Sequence, residues 1–339
     1  MDWLGNKILG CLVGAAAGDA MGAATELRTR EQIEQRFGGY VKTFLQPPED
    51  TFSRGNRAGQ ITDDFSFAYV ICQRIIECNG LINAETAKEG ILRWGENEQY
   101  FSRFAGPTTR AAIEEMRGAS KASANAFQLA VDIGKATNGA AMKASPIALF
   151  SGGDVDKAIQ DAITVSLWTH NNNIALSAAA AVAAATAVAM RQDASIYEVI
   201  QGGLYGARQG DMIARKVGVT VAGPSVEKRI RAAVTIAETA QDLDCAMRNL
   251  SDLIGTGLAA AEAVPTAFGL MAAAKADPET AICAAVNIGN DTDTIATMVG
   301  GILGTLKGIE CLPDFYLTVI DRENDLDLTA TAQSIRSLL

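Results

Sequence analysis

The stretch Ile8-Leu9-Gly10-Cys11-Leu12-Val13-Gly14-Ala15-Ala16-Ala17-Gly18-Asp19-Ala20-Met21-Gly22-Ala23 decides how the chain is read. It lacks the alternation of a strand, and its glycines fall at positions 10, 14, 18 and 22. Residues four apart share one face of an α-helix, so these glycines form a stripe against which a second backbone can lie closely. The membrane version of that pattern needs a long apolar span, which Asp19 interrupts.

Helical periodicity dominates the remainder. It runs through Phe65, Ala68, Cys72, Ile75 and Ile76 and stops at Gly80. It predicts further helices over 84–98, 108–117, 123–132, 154–168, 174–190, 195–208, 225–240, 242–254, 256–274, 278–288 and 294–307. Pro265 is expected to break or kink the 256–274 helix. Residues 40–61, with Pro47-Pro48 and Ser53-Arg54-Gly55-Asn56, read as a loop. Gly218-Val219-Thr220-Val221 is the nearest approach to a strand and is too short to build a sheet. With no linker and no solenoid-length repeat, residues 1–339 read as one all-α domain.

Composition narrows the function classes. A chain of 339 residues that is 48% hydrophobic can bury a large core. A net charge of −10 argues against nucleic-acid or anionic-membrane partners, which need clustered Lys and Arg. The six cysteines (11, 72, 78, 245, 283 and 311) include no CxxC pair, so zinc and disulfide frameworks lack support. The start has no basic segment leading into an apolar run, so the protein is expected to be cytoplasmic. The Ala-rich run Ile174 to Met190, with Ser177 and Thr186 inside it, reads as a buried helix of a soluble protein.

Two acidic clusters stand just before apolar helical runs: Thr62-Asp63-Asp64 and Asp291-Thr292-Asp293-Thr294. Helix capping by Thr62 with two dipole-favoured carboxylates accounts for the first taken alone. Capping does not require the four polar residues of the second. Several carboxylates gathered in a low-dielectric pocket repel one another unless a divalent cation compensates them. With a single histidine, His170, in the chain, the available ligands are oxygens, which suit a hard cation. Three weaker signals accompany them. Glu26 follows Gly18-Asp19-Ala20-Met21-Gly22, read either as a solvated acidic end or as a further carboxylate on the same cavity. Thr137-Asn138-Gly139-Ala140-Ala141-Met142-Lys143 reads as a plain turn or as a loop whose amides cradle phosphate. His170 lies in a polar loop entering the Ala-rich helix.

Together, Gly10 through Gly22 with Glu26, Gly59-Gln60-Ile61-Thr62-Asp63-Asp64, Asn138-Gly139-Ala140-Ala141-Met142, Thr169-His170, Glu262-Ala263-Val264-Pro265 and Asp291-Thr292-Asp293-Thr294 resemble the ADP-ribosylglycohydrolase family. They occur in family order over nearly the whole chain. The resemblance implies a compact, orthogonal multi-helix bundle with a binuclear Mg²⁺ or Mn²⁺ centre in a cleft. It implies Thr62, Asp63, Asp64, Asp291, Asp293 and Thr294 as metal ligands and Asp63 or Glu26 as the catalytic base. It also implies Asn138, Gly139, Ala140, Met142 and His170 as substrate contacts. The substrate is then an ADP-ribosylated protein or a small ribosyl conjugate cleaved at ribose C1′ through an oxocarbenium-like transition state.

The chain departs from the family pattern at Phe65-Ser66, at Lys143 where Arg often stands, at Asn290 before Asp291, and at Asn171-Asn172-Asn173 after Thr169-His170. These positions bear on the leaving group and the distal contacts, not on the ligands. A second reading keeps the family and shrinks the substrate to a nucleoside-like N-riboside, since Gly223-Pro224-Ser225-Val226-Glu227-Lys228-Arg229-Ile230 resembles a segment of bacterial members of uncertain substrate. A third retains ADP-ribose binding without catalysis; the intact ligand set speaks against it. Terpenoid synthases also use clustered aspartates in an all-α fold, but Asp63-Asp64 is followed here by Phe65-Ser66-Phe67 without the third carboxylate.

Overall fold

The computed structural model describes residues 1–119 and 128–339. Among them are eighteen α-helices and no sheet. In order, the first six are α1 (Trp3–Gly22), α2 (Arg30–Phe37), α3 (Asp63–Glu77), α4 (Ala84–Glu96), α5 (Glu98–Phe104) and α6 (Pro107–Met116). Next come α7 (Gln128–Gly134), α8 (Ala144–Ala148), α9 (Val155–Ser166), α10 (Asn173–Ala189), α11 (Ile196–Val217) and α12 (Val226–Thr239). The last are α13 (Leu243–Leu253), α14 (Ala260–Ala273), α15 (Pro278–Asn287), α16 (Thr292–Lys307), α17 (Phe315–Asn324) and α18 (Leu328–Ser337). The all-α expectation holds, and 40–61 is a loop.

The backbone that the glycine stripe awaits is α16. A Cβ on Gly10, Gly14 or Gly18 would fall on the carbonyl oxygen of Gly304, Gly300 or Ala296 respectively. The stripe ends where Gly22 abuts the Asp293 backbone. As one number rises the other falls, so the helices run antiparallel, and the C-terminal end of α1 meets the N-terminal end of α16. At the opposite end, the buried Lys7 Nζ donates to Ala189 O (2.8 Å) and Leu306 O (2.9 Å), tying α1 to the last turns of α10 and α16. An ammonium against terminal carbonyls is also favoured by the helix dipoles.

Helix α10 is buried along its whole length and packs against α9, α11, α14 and α16. No helix among the described residues is long and apolar enough to cross a membrane. Helix α11 outruns its expected end at residue 208 because Gly206 and Gly210 sit against Ala180 and the Leu176–Ser177 backbone of α10. A glycine that reads as a stop signal is here a close-packing residue.

Pro265 neither breaks nor ends α14. Its missing N–H frees the Ala261 carbonyl, and Arg229 Nη1 donates to that oxygen at 2.8 Å from α12. Helices α2, α5, α8, α17 and α18 go beyond those the periodicity predicts. The polar α2 is held by a Thr29–Gln32 capping box and stopped by left-handed Gly38. The helix expected over 123–132 partly lies outside the described residues; its described part belongs to α7.

The antiparallel contact yields a direct test. Gly14→Ala forces α1 away from α16 and should lower stability by about 3 kcal/mol or more. Gly134→Ala, whose Cβ would meet nothing within 4 Å, should leave the denaturant midpoint unchanged. Equal midpoints for the two variants would remove the glycine stripe as the organising contact.

Candidate metal centre

Glu26, Asp63, Asp64, Asp291, Asp293, Thr62 and Thr294 line one cleft of about 380 Å³, together with Asn138, Gly139, Met142 and His170. The structure thus gathers every expected site residue except Ala140, which is fully buried behind the wall.

Three elements deliver the acidic groups. The first cluster opens α3, where Thr62 Oγ1 caps the Asp64 N–H at 3.4 Å. The second opens α16, where the Asp293 carboxylate accepts its neighbour's N–H from Thr294 at 3.0 Å. The third is the turn after α1, which runs beside the turn before α16. The Leu27 N–H donates to Asn290 O and the Asn290 N–H to Arg28 O, both at 2.8 Å. This pairing sets Glu26 beside Asp291 and Asp293, so that one carboxylate oxygen of each lies within 4.8 Å of the others. Asn290 takes φ +66° there. Asparagine enters that left-handed region more readily than most residues, which suits it to this turn.

The two clusters touch. The Thr294 hydroxyl donates to the Asp64 carboxylate, 3.0 and 3.1 Å from its two oxygens. Asn138 Nδ2 donates to Asp291 Oδ2, so the loop before α8 also grips the second cluster. Thr292, between the two ligand aspartates, turns away and donates to Gly22 O at 2.9 Å. It also accepts from Thr25 Oγ1 at 3.0 Å, closing the junction of α1 and α16.

Sequence reasoning missed Asp19. Its fully buried carboxylate accepts from Thr62 Oγ1 (2.7 Å), from the Thr62 N–H (2.9 Å) and from the Phe65 N–H (2.9 Å). It therefore holds the start of α3 from behind. The available signal was a lone carboxylate inside a helix whose neighbouring positions are all apolar or small.

Burial, then mutual repulsion, controls the electrostatics. Burial and the Asp291, Asp63 and Asp19 charges push the Glu26 carboxyl up to about 8. Burial and the Asp19 charge push Asp63 up to about 8 as well. Asp64 and Asp293 are raised well above the carboxylate range for the same reasons, and burial raises Asp291. Lys143 near Asp63 and Arg28 near Glu26 offset only part of this. Buried carboxylates and hydroxyls with too little positive charge around them are the donor set that hard divalent cations require. The residues present therefore fit such a centre.

The sign of the coupling follows. In the metal-free protein the folded state holds protons on Glu26 and Asp63 up to about pH 8, whereas their ordinary values are 4.5 and 3.8. Their contribution to stability is present below the ordinary values and is lost as pH rises through about 8. Melting of chelated protein should fall over that window, and Mg²⁺ or Mn²⁺ should restore it most at the alkaline end. A chelated protein indifferent to both pH and metal would refute the centre. Asp19→Ala should weaken metal affinity by roughly tenfold to a hundredfold although Asp19 lies outside the cleft. Calorimetric titration of folded variant with Mn²⁺ at wild-type affinity would refute its positioning role.

The geometry agrees with the chain's likenesses. The family model described as ADP-ribosylglycohydrolase matches residues 2–338. YegU of Escherichia coli (strain K12), an uncharacterized protein, is 30% identical over 97% of this chain and 96% of its own. Human ADP-ribosylhydrolase ARH3 is 23% identical over 96% of this chain and 92% of its own. ADP-ribosylarginine hydrolase Tri1 of Pseudomonas putida (strain GB-1) is 25% identical over 91% of this chain and 72% of its own. A solved ADP-ribosylglycohydrolase-related protein complex shares the fold at a TM-score of 0.71, with 20% identity over 99% of this chain and 98% of that one. The chain belongs to the ADP-ribosylglycohydrolase family of hydrolases.

Proposed function

We propose that this protein hydrolyses the glycosidic bond at ribose C1′ of an ADP-ribosyl conjugate, with Mg²⁺ or Mn²⁺ as cofactor. The observation that carries the reading is the convergence of Thr62, Asp63, Asp64, Asp291, Asp293, Thr294 and Glu26 on one cleft. Glu26, Asp291 and Asp293 would hold one cation, and Thr62, Asp63, Asp64 and Thr294 complete a second position. When bound, such ions neutralise the carboxylates and supply Lewis acidity toward ribose hydroxyls and water.

The chain's own groups divide the remaining work. Asp64 and Asp291 are engaged by Thr294 and Asn138, which orients them. Asp63, by contrast, has its own amide as its hydrogen-bond partner among the described residues. It is half-buried on the cleft wall, so it is the group best free to take a proton from water. Glu26 faces the same space from the turn after α1. The carboxylates as a set also favour cationic character developing on the ribose ring.

Two observations favour the smaller substrate. Arg103 is the one basic side chain lining the cleft among the described residues, and it is engaged by the Arg54 carbonyl at 2.5 Å. A volume of about 380 Å³ is also near the lower end of ligand pockets. Both suit a less anionic, nucleoside-like N-riboside. The segment 223–230 does not line the cleft, so it lends that alternative no support.

A hydrolysis screen over arginine-linked and serine-linked ADP-ribose and simple N-ribosides, reading the released ribose species, separates the two. ADP-ribosyl turnover that depends on Mg²⁺ or Mn²⁺ is expected, with kcat lowered at least about a hundredfold in Asp293→Ala. Turnover of ribosides alone would replace the first reading with the second. Undiminished ADP-ribosyl turnover by chelated Asp293→Ala protein would discard both.

A further inference from the structure

His170 is the single histidine of the chain, and its ring lies between two threonine hydroxyls. Nδ1 is 2.9 Å from Thr169 Oγ1, and Nε2 is 3.1 Å from Thr137 Oγ1. Burial, then the nearby Lys143 charge, holds the ring well below the ordinary histidine range, so it is neutral. A neutral imidazole donates from one nitrogen and accepts at the other. The direction of the whole chain of hydrogen bonds therefore depends on where the Thr169 proton points.

Lys143 decides that. Its fully buried Nζ donates to Gly139 O at 2.5 Å and stands 3.5 Å from Thr169 Oγ1. The second contact is long for a hydrogen bond. Burial lowers the Lys143 amine to about 7; in its ammonium form it offers no acceptor, and its charge turns the hydroxyl lone pairs toward it. The Thr169 proton is left pointing at Nδ1. The ring proton then sits on Nε2 and is donated to Thr137 Oγ1, and the Thr137 proton remains uncommitted. Thr137 lines the cleft beside Asn138 and Gly139. Gly139 is pressed against the same ring, since a Cβ there would come within 2.7 Å of His170 Nε2. Lys143, the loop and the ring thus form one assembly.

We infer that Lys143 is a positioning residue that sets the polarity of the Thr169–His170–Thr137 chain, and that Thr137 presents its hydroxyl proton to an acceptor oxygen of the ADP-ribosyl group. His170 acts on the substrate through Thr137, because its Nε2–H is already donated. The identity of the ligand rests on the function proposed above; the polarity does not.

With one histidine, a long-range ¹H–¹⁵N correlation on ¹⁵N-histidine-labelled full-length protein, recorded below about pH 7 where Lys143 is the ammonium, reads the tautomer without assignment. The expected result is protonated Nε2 and bare Nδ1, kept in Lys143→Arg and lost as a single form in Lys143→Met. Thr169→Val should also lose it, which gives the same readout if Lys143→Met does not fold. A protonated Nδ1 in the wild-type protein overturns the inference. Calorimetry with ADP-ribose and Mg²⁺ tests the second half: Thr137→Val should bind roughly tenfold more weakly and Thr137→Ser like wild type. Unchanged affinity in Thr137→Val overturns the role of Thr137 alone. Absence of ADP-ribose binding by wild-type protein overturns the ligand together with the functional reading, while the tautomer result still stands on its own.

Discussion

The contact on which everything else depends is the backbone-to-backbone approach of α1 and α16. Only glycine leaves room for a carbonyl where a Cβ would stand, and Gly10, Gly14 and Gly18 each face one. Because the pair is antiparallel, the approach does more than fill a core. It fixes how far the turn carrying Glu26 lies from the turn carrying Asp291, and the hydroxyls of Thr25 and Thr292 close the joint. The acidic cluster that opens α3 is held by the same helix, since Asp19 of α1 grips it through Thr62 and Phe65. One helix therefore touches both acidic clusters, and its small side chains are what allow it to do so.

The cost of this arrangement is electrostatic. Burying Glu26, Asp63, Asp64, Asp291 and Asp293 together raises all of them, with burial as the leading cause in each. Hydrogen bonds from Asn138, Thr294 and backbone amides relieve part of the strain. A site that gathers this much like charge suits a positive ion, which would neutralise the carboxylates where hydrogen bonds alone do not.

Much of this was legible in the sequence. The glycine spacing gave the stripe its purpose before a partner was known, and the Asp-rich helix starts marked the cleft, because both signals are local and periodic. What was not legible is relational. Asp19 looks like one more residue of a small-residue helix; its importance lies in two amides and a hydroxyl that start more than forty positions later. Pro265 reads as a helix breaker until Arg229 arrives from α12 to satisfy the carbonyl it frees. Gly210 reads as a stop until α10 lies across it. Helices α2 and α18 were locally readable and missed. The Thr29–Gln32 box is a start signal, although the polar α2 carries no hydrophobic period, and Asp327 caps a run with Leu328, Thr331, Ala332 and Ile335 on one face. In each of the other cases the missing information was the identity of a distant neighbour.

The separation of the clusters along the chain has a consequence for how the protein is made. Thr62-Asp63-Asp64 leaves the ribosome before α4 to α15 are made, whereas Asp291 through Thr294 follows only after them. Until then α1 has no partner for its glycines, and the nascent chain carries half of an acidic site with no means of closing it. Any product truncated before α16 lacks both the closing helix and the second set of oxygens. Divalent-cation binding of the kind proposed would thus register, in a single local event, that the chain has been made through α16.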